Sequence, residues 1–436
     1  MSSKTKVTVA EEEAKPVLAP KLRFIEFQKA GDWTTEVLGA VATIRTEKVG
    51  NNICVPMSIT SGVGLVSQEE KFGRVIAGDS YKNYLLLKPN EFAYNKSATK
   101  EYPEGFLTLY SGTALAAVPN SIFTCFRING NSPDVRFLNH QFSGNLHGRW
   151  LRKFIQVGAR AHGSLSINDD DLMALPVPIP SGATSVDEQR KIAECLSSVD
   201  ELMTAQARKV DALRTYKAGL MQQLFPREGE TQPRLRFPEF KNANEWNDQS
   251  IGDFGRVVTG STPSTAQTAF YGGGISFVSP ADISDGRFVN QTKTTLTTEG
   301  FAKTRPIRAG SILFVCIGST IGKVAQSAHD CATNQQINAV VPNSQHSDGF
   351  VYFALSSASS RIALLAGKQA VPIINKSLFS SVRLLVPKLD EQRRIASCLS
   401  SLDTLISAES QKLETLKSHK KGLMQQLFPR AEEAKS

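Results

Sequence analysis

A 41-residue segment occurs twice in this chain, and no other feature constrains the fold as strongly. DEQRKIAECLSSVDELMTAQARKVDALRTYKAGLMQQLFPR, from Asp187 to Arg227, aligns without a gap to DEQRRIASCLSSLDTLISAESQKLETLKSHKKGLMQQLFPR, from Asp390 to Arg430. The offset is 203 residues, and 25 of the 41 positions are identical. A shorter echo precedes each copy: KLRFIEF (Lys21 to Phe27) answers RLRFPEF (Arg234 to Phe240), and Trp33 answers Trp246. The repeat unit is far too long for a solenoid, so the chain reads as a duplicated unit with diverged interiors. At 436 residues it is also too long for one ordinary core. The expected layout is a flexible N-terminal tail (1–20), a first variable domain (21–184), a central helix and linker (185–233), a second variable domain (234–388), and a C-terminal helix and tail (389–436).

The repeated segment is helical by pattern, with apolar residues spaced by threes and fours. In heptad notation one seam row holds Leu196, Met203, Val210, Lys217 and Leu224, and the other Ile192, Val199, Gln206, Leu213 and Leu220. The second copy matches it with Leu399, Ile406, Leu413, Lys420 and Leu427, and with Ile395, Leu402, Glu409, Leu416 and Leu423. A level parallel pairing sets Lys217 against Lys420, two ammonium groups in an apolar seam, which is costly. An antiparallel pairing that sets Lys217 against Glu409 also sets Gln206 against Lys420, so both polar layers are satisfied. The pattern therefore predicts an antiparallel two-helix coiled coil with pseudo-twofold symmetry, overlapping over about 40 Å. Ser185 to Glu188 fits a capping box at the first helix, and Asp390 is the expected cap of the second. Pro226 and Pro429 are stop signals, while Gly219 and Gly422 interrupt the helical pattern and imply a bend or close packing.

The net charge of +9 resides in the variable blocks. Residues 21–186 carry 17 Lys and Arg against 14 Asp and Glu, and residues 234–389 carry 15 against 9. A polyanionic partner is thus expected to bind there. No run approaches the roughly 18 apolar residues of a membrane span. The start, MSSKTKVTVAEEEAK, lacks the apolar centre of a secretion signal, so a cytoplasmic protein is expected. The six cysteines form no CxxC pair and no zinc spacing with the six histidines, which predicts reduced, buried thiols and no metal site.

A variable block, a helix running from DEQRKIA to GLMQQLFP, then a second block and a second such helix resembles the DNA-specificity subunit of type I restriction-modification systems. The motifs that carry this are Asp187-Glu188-Gln189 with Ile192-Ala193, Gly219 to Pro226, their copies, Leu235 to Phe240, and Gly260-Ser261-Thr262-Pro263-Ser264. The resemblance implies an α+β architecture in which two globular α/β target-recognition domains, each reading half of a divided DNA sequence, are separated by two long antiparallel helices. It further implies two methylation subunits that carry S-adenosylmethionine, a motor-nuclease subunit, and no catalytic role or cofactor for this chain. A self-sufficient modification enzyme is the first alternative, but no [ND]PP[YF] motif, Walker A sequence or glycine-rich cofactor fingerprint is present. A coiled-coil scaffold for proteins is the second, and it leaves the basic excess unused.

Candidate DNA contacts follow from residue type. In the first block these are Tyr94, Asn95 and Lys96, the basic cluster Arg149, Arg152 and Lys153 around Trp150, and Arg160. The competing reading has Tyr94 and Trp150 packed inward with the charges solvated. In the second block they are Lys323, the amides Asn334, Gln335 and Gln336, and Lys376. Gly318 to Lys323 lacks the spacing and hydroxyl of a phosphate loop and reads as a hairpin turn, with Lys323 on the surface or on DNA backbone. Asp169-Asp170-Asp171 reads as a cap or turn.

Overall fold

The structure is a computed structural model and describes residues 18–60, 63–99, 102–155, 165–284, 286–367 and 371–429. The first residues of the predicted tail and Arg160 lie outside them. The chain divides into two compact units, Met1–Ala205 with Leu413–Ser436, and Gln206–Lys412. The division falls inside the two repeated helices, Ser185–Leu224 and Leu389–Leu427. Each unit therefore holds one variable block, the N-terminal half of the helix that follows it, and the C-terminal half of the other helix.

In unit one the strands are β1 (Thr34–Val37), β2 (Ala42–Arg45), β3 (Val55–Thr60), β4 (Gly64–Ser67), β5 (Leu85–Leu87), β6 (Phe92–Asn95), β7 (Phe106–Leu109), β8 (Ala116–Val118), β9 (Phe123–Ile128) and β10 (Pro176–Ile179). They form an antiparallel sheet ordered β2-β9-β6-β7, a smaller sheet ordered β4-β3-β8-β5, and the ribbon β1-β10. In unit two follow β11 (Asn247–Ser250), β12 (Gly255–Thr259), β13 (Tyr271–Val278), β14 (Phe288–Val289), β15 (Thr294–Leu296), β16 (Ile312–Val315), β17 (Val324–Ser327), β18 (Cys331–Thr333), β19 (Ile337–Pro342) and β20 (Arg383–Val386). Their sheets are β12-β19-β16-β17-β14, β15-β13-β18 and β11-β20. The order β2-β9-β6-β7 is matched by β12-β19-β16-β17, so the two blocks share a frame despite sharing almost no residues. The central strands are buried on both faces: every residue of β16 (ILFV) and of β6 (FAYN) is buried.

The short repeated motifs meet one another within each unit. In unit one Arg23 forks onto Glu188 (2.7 and 2.8 Å) and donates to the carbonyls of Ala30 and Gly31, while Trp33 Nε1 also donates to Glu188 (3.3 Å). In unit two Arg236 forks onto Glu391 (2.7 and 2.8 Å), and Trp246 Nε1 donates to the same carboxylate (3.4 Å). Gln189 accepts from the Asp134 N–H, and Gln392 accepts from the Ser347 N–H, each at the start of a domain helix. The Phe of each LFP end packs edge-on to the Trp, Phe428 on Trp33 and Phe225 on Trp246. These arginine–glutamate pairs are nearly buried and bidentate, which makes them strong, geometrically specific pins between a block and its helices. The expected capping box at the first helix does not form, because Glu188 is committed to Arg23 and Ser185 Oγ donates to the Pro180 carbonyl. Asp390 is exposed in the first turn, 3.9 Å from Arg393.

Within each unit the two helix halves run antiparallel, as predicted, but the register differs. In unit one Lys420 Nζ binds Asp200 (2.7 Å). In unit two Lys217 Nζ binds Asp403, the repeat-equivalent pair, and Gln206 Nε2 donates to Glu409 Oε2 (2.7 Å) and to the Glu409 carbonyl (2.8 Å). Lys217 thus does not face Glu409, nor Gln206 Lys420. A lysine stem is long enough to lie along the seam and deliver its charge to a carboxylate flanking it, so Asp200 and Asp403 supply the partners. Leu196, Val210 and Leu399 are buried, and Met203, Leu213, Leu220, Ile406, Leu413, Leu416 and Leu423 are half-buried between exposed neighbours. Both helices run unbroken through Gly219 and Gly422, where an added Cβ meets nothing within 4 Å. Close packing is not why these glycines are there.

The segment Asp348–Ala366 is long and apolar enough, by length and composition, to cross a membrane, which sequence inspection did not anticipate. Its helix, Asp348–Ala363, buries Phe350, Val351, Phe353 and Leu355 completely in the core of unit two, which accounts for the composition. Cys125, Cys316 and Cys331 are buried free thiols, each pushed up to about 12 by burial, and the other three are half-buried.

Candidate nucleic-acid interface

The shared frame brings the same set of loops together at one edge of each main sheet. In unit one the Lys96 N–H donates to the Ile122 carbonyl, and the Leu165 N–H donates to the Lys96 carbonyl. In unit two the Cys316 N–H donates to the Gln336 carbonyl, and the Ile374 N–H donates to the Cys316 carbonyl. The end of the third strand in each sheet is thus tied to the same two neighbouring loops. A short helix follows on this edge, Asp169–Met173 in unit one, capped by Asn168, and Lys376–Ser381 in unit two, capped by Asn375. On one frame, a triple aspartate stands where the other unit has Lys376-Ser377-Leu378.

Several first-block candidates prove structural. Tyr94 is fully buried on β6, donates its hydroxyl to the Glu104 carbonyl (2.8 Å) and meets His147 edge-on, and burial pushes its phenol well above the usual range. Asn95 is buried and accepts from the Ser97 N–H (2.7 Å), shaping the loop. Both side chains lie inside the domain, because β6 is a central strand buried along its whole length. Lys96 is half-buried, 3.4 Å from Asp169, whose carboxylate also accepts from Thr124 (2.7 Å). Arg152 is exposed but engages the nearly buried Glu104 through Nε (2.7 Å) and a terminal nitrogen. Lys153 lies over the Trp150 ring at 4.6 Å, and Trp150 Nε1 donates to the Asp171 carbonyl. Arg149 is exposed and has no hydrogen-bond or ionic partner among the described residues. Of the basic cluster, Arg149 and Lys153 have no acidic partner among the described residues, and Arg149, without even a ring contact, is free for an outside anion.

In unit two, β16 and β17 pair as the predicted hairpin. Gly318 and Gly322 adopt φ of 97° and 92°, a left-handed backbone that only glycine takes without strain. Lys323 is exposed, yet its Nζ donates to the Ile283 carbonyl (3.0 Å), so it braces a neighbouring loop. Lys376 is exposed in the first turn of its helix, without a partner among the described residues. The Gly260–Ser264 motif packs against Thr333–Gln336: the Ser261 N–H donates to the Thr333 carbonyl (2.9 Å), and a Cβ at Gly260 would lie 2.1 Å from the Asn334 carbonyl oxygen. Sequence reading missed two residues here. Arg305 donates to the Thr259 carbonyl (2.9 Å), and the Thr262 hydroxyl donates to Gln335 Oε1 (2.7 Å). Thr262 stands in a motif and Gln335 among the candidates, but their pairing is not readable from the sequence, because the two segments are distant along the chain.

Unit one thus offers an exposed cation at Arg149, and unit two an exposed cation at Lys376 and an exposed amide at Gln335. Among the described residues no group of three or more His, Cys, Asp or Glu is arranged to hold a metal ion.

The chain is similar to known proteins. The family described as "Type I restriction modification DNA specificity domain" matches residues 243–418. The HindI specificity subunit of Haemophilus influenzae is 31% identical over 147 residues, 33% of this chain and 32% of that subunit. The EcoR124I/EcoR124II specificity subunit of Escherichia coli is 32% identical over 174 residues, 38% of this chain and 42% of that one. A Methanocaldococcus jannaschii protein assigned as the MjaX specificity subunit is 23% identical over 335 residues, 74% of each chain. This chain thus spans about a third of the HindI subunit and about three quarters of the MjaX protein. Among solved structures, the S subunit from M. genitalium superposes with a TM-score of 0.59 at 15% identity, covering 95% of this chain and all of that one. A chain of a type I restriction-modification complex gives 0.55 at 16% identity, covering 91% and 97%.

Proposed function

We propose that this chain, which belongs to the specificity subunits of type I restriction-modification systems, is the DNA reader of such a complex and carries no catalytic step itself. One observation carries this reading: two units built on one frame, pinned to their helices by the same Arg–Glu–Trp clasp, present different chemistry at the same loop edge. Two readers of unlike half-sites need that arrangement, and the excess of Lys and Arg over Asp and Glu in both variable blocks suits the phosphate backbone. In this reading the paired helices keep the readers at a set spacing along the duplex. Their outer faces receive two methylation subunits, which bring S-adenosylmethionine and rotate an adenine out of the stack, and a motor-nuclease subunit completes the assembly. The place of action is the cytoplasm.

The test is binding and exchange. The full chain should bind duplex DNA with an affinity that falls steeply as salt rises. Replacing residues 21–184 by the block of another such reader should change one half of the selected site and leave the other half intact. Salt-independent binding, or a swap that alters both halves, would contradict the proposal.

A further inference from the structure

The loop Thr333–Gln336 carries three neighbouring amides, and the structure separates their roles. Asn334 Nδ2 donates to Gln336 Oε1 (2.9 Å), the Gln336 N–H donates to Asn334 Oδ1 (3.1 Å), and Gln336 Nε2 reaches the Ile317 carbonyl (3.5 Å). Both amides are half-buried and committed within the loop. Gln335 is exposed, and its contact is the Thr262 hydroxyl, which donates to Oε1 (2.7 Å). Its Nε2, with two N–H donors, has no partner among the described residues. Thr262 is itself held, because the Ser261 N–H bonds the Thr333 carbonyl and there is no room for a side chain at Gly260. The tether therefore joins two packed loops.

We infer that Gln335 is a specificity-determining residue of unit two, presented by Thr262 as a hydrogen-bond donor, and that it reads a base edge bearing acceptors. The inference rests on the DNA-reading function proposed above. In the major groove guanine offers two acceptors, N7 and O6, and no donor. Adenine couples an acceptor to a donor, so reading it bidentately would require Oε1 to take a second hydrogen bond on its remaining lone pair beside the one from Thr262, whereas guanine uses only the two N–H groups that have no partner. Guanine is the base this arrangement favours.

The wild-type full chain and its Gln335→Ala, Gln335→Glu and Thr262→Val variants are each used to select from a randomised duplex pool. The wild type should prefer guanine at one position of one half-site. Gln335→Ala should lose about ten-fold discrimination at that position and leave the others unchanged. Gln335→Glu, nearly the same shape but an acceptor, should shift the preference there toward cytosine, whose N4 donates. Thr262→Val should weaken discrimination at the same position. Variants that keep the wild-type preference everywhere, or that lose it evenly at all positions, would overturn the inference while leaving the DNA-reading function intact. A wild-type chain that selects no sequence at all would overturn both.

Discussion

Arg149 and Arg152 stand three residues apart in one basic cluster, yet their surroundings give them different roles. Arg152 neutralises Glu104, whose side chain is only 4% exposed, so Arg152→Ala leaves a nearly buried carboxylate unpaired. It should cost about 1–3 kcal/mol of stability, seen as a lower unfolding midpoint. Arg149 has no such partner, so Arg149→Ala should leave the unfolding midpoint unchanged, weaken DNA binding across all sequences and reduce the salt slope by about one. A fall in stability for Arg149→Ala would show it to be structural. At the helix seam, Glu409 is 4% exposed and gathers Gln206, Lys209 (2.9 Å) and Lys412 (3.1 Å), whose hydrogen bonds hold its carboxyl down at about 2, below the ordinary 4.5. A depressed carboxyl stabilises the fold above its unfolded pKa, and that contribution is lost as pH falls through the folded value. Unfolding followed from pH 4.5 down to pH 2 should therefore show a loss of stability that Glu409→Gln lacks; equal slopes would contradict it. Composition singled out these cations but could not tell which were free, because Glu104 lies far from Arg152 in sequence and the pairing depends on the fold.

The paired helices are the elements most legible in the sequence. Their length, antiparallel sense and buried rows follow from the heptad spacing and from the cost of opposing lysines. The register does not, because Lys217 and Lys420 reach past the seam to Asp403 and Asp200, residues that the heptad count leaves outside it. Gly219 and Gly422 lie in unbroken helix with free space around their α-carbons. Gly219→Ala and Gly422→Ala should each stabilise the chain by about 1 kcal/mol, measured by denaturant unfolding. Destabilisation would instead reveal a local backbone demand for glycine. The strand frames are far less legible: FAYN in β6 and ILFV in β16 occupy matching places with no residue identical at matching positions, since a buried central strand asks mainly for volume rather than for particular residues.

For the whole molecule, the motifs most visible in the sequence turn out to be joints. Arg23, Trp33 and Glu188, and their counterparts Arg236, Trp246 and Glu391, pin each block to its helices, so they repeat because both units need the same joint. The loops that would touch DNA carry no repeat, so the sequence alone offers their residues only as candidates. The central claim is that helix length sets the spacing between the two half-sites. It is tested most directly by deleting one heptad from each helix, residues 203–209 and 406–412 together, which retains Asp200, Lys420, Lys217 and Asp403 in matching register. Each helix shortens by about 10 Å, equivalent to about three base pairs. Mapping the sites selected by the shortened chain should return the same half-site sequences with the gap reduced by about three base pairs. An unchanged gap would contradict the account.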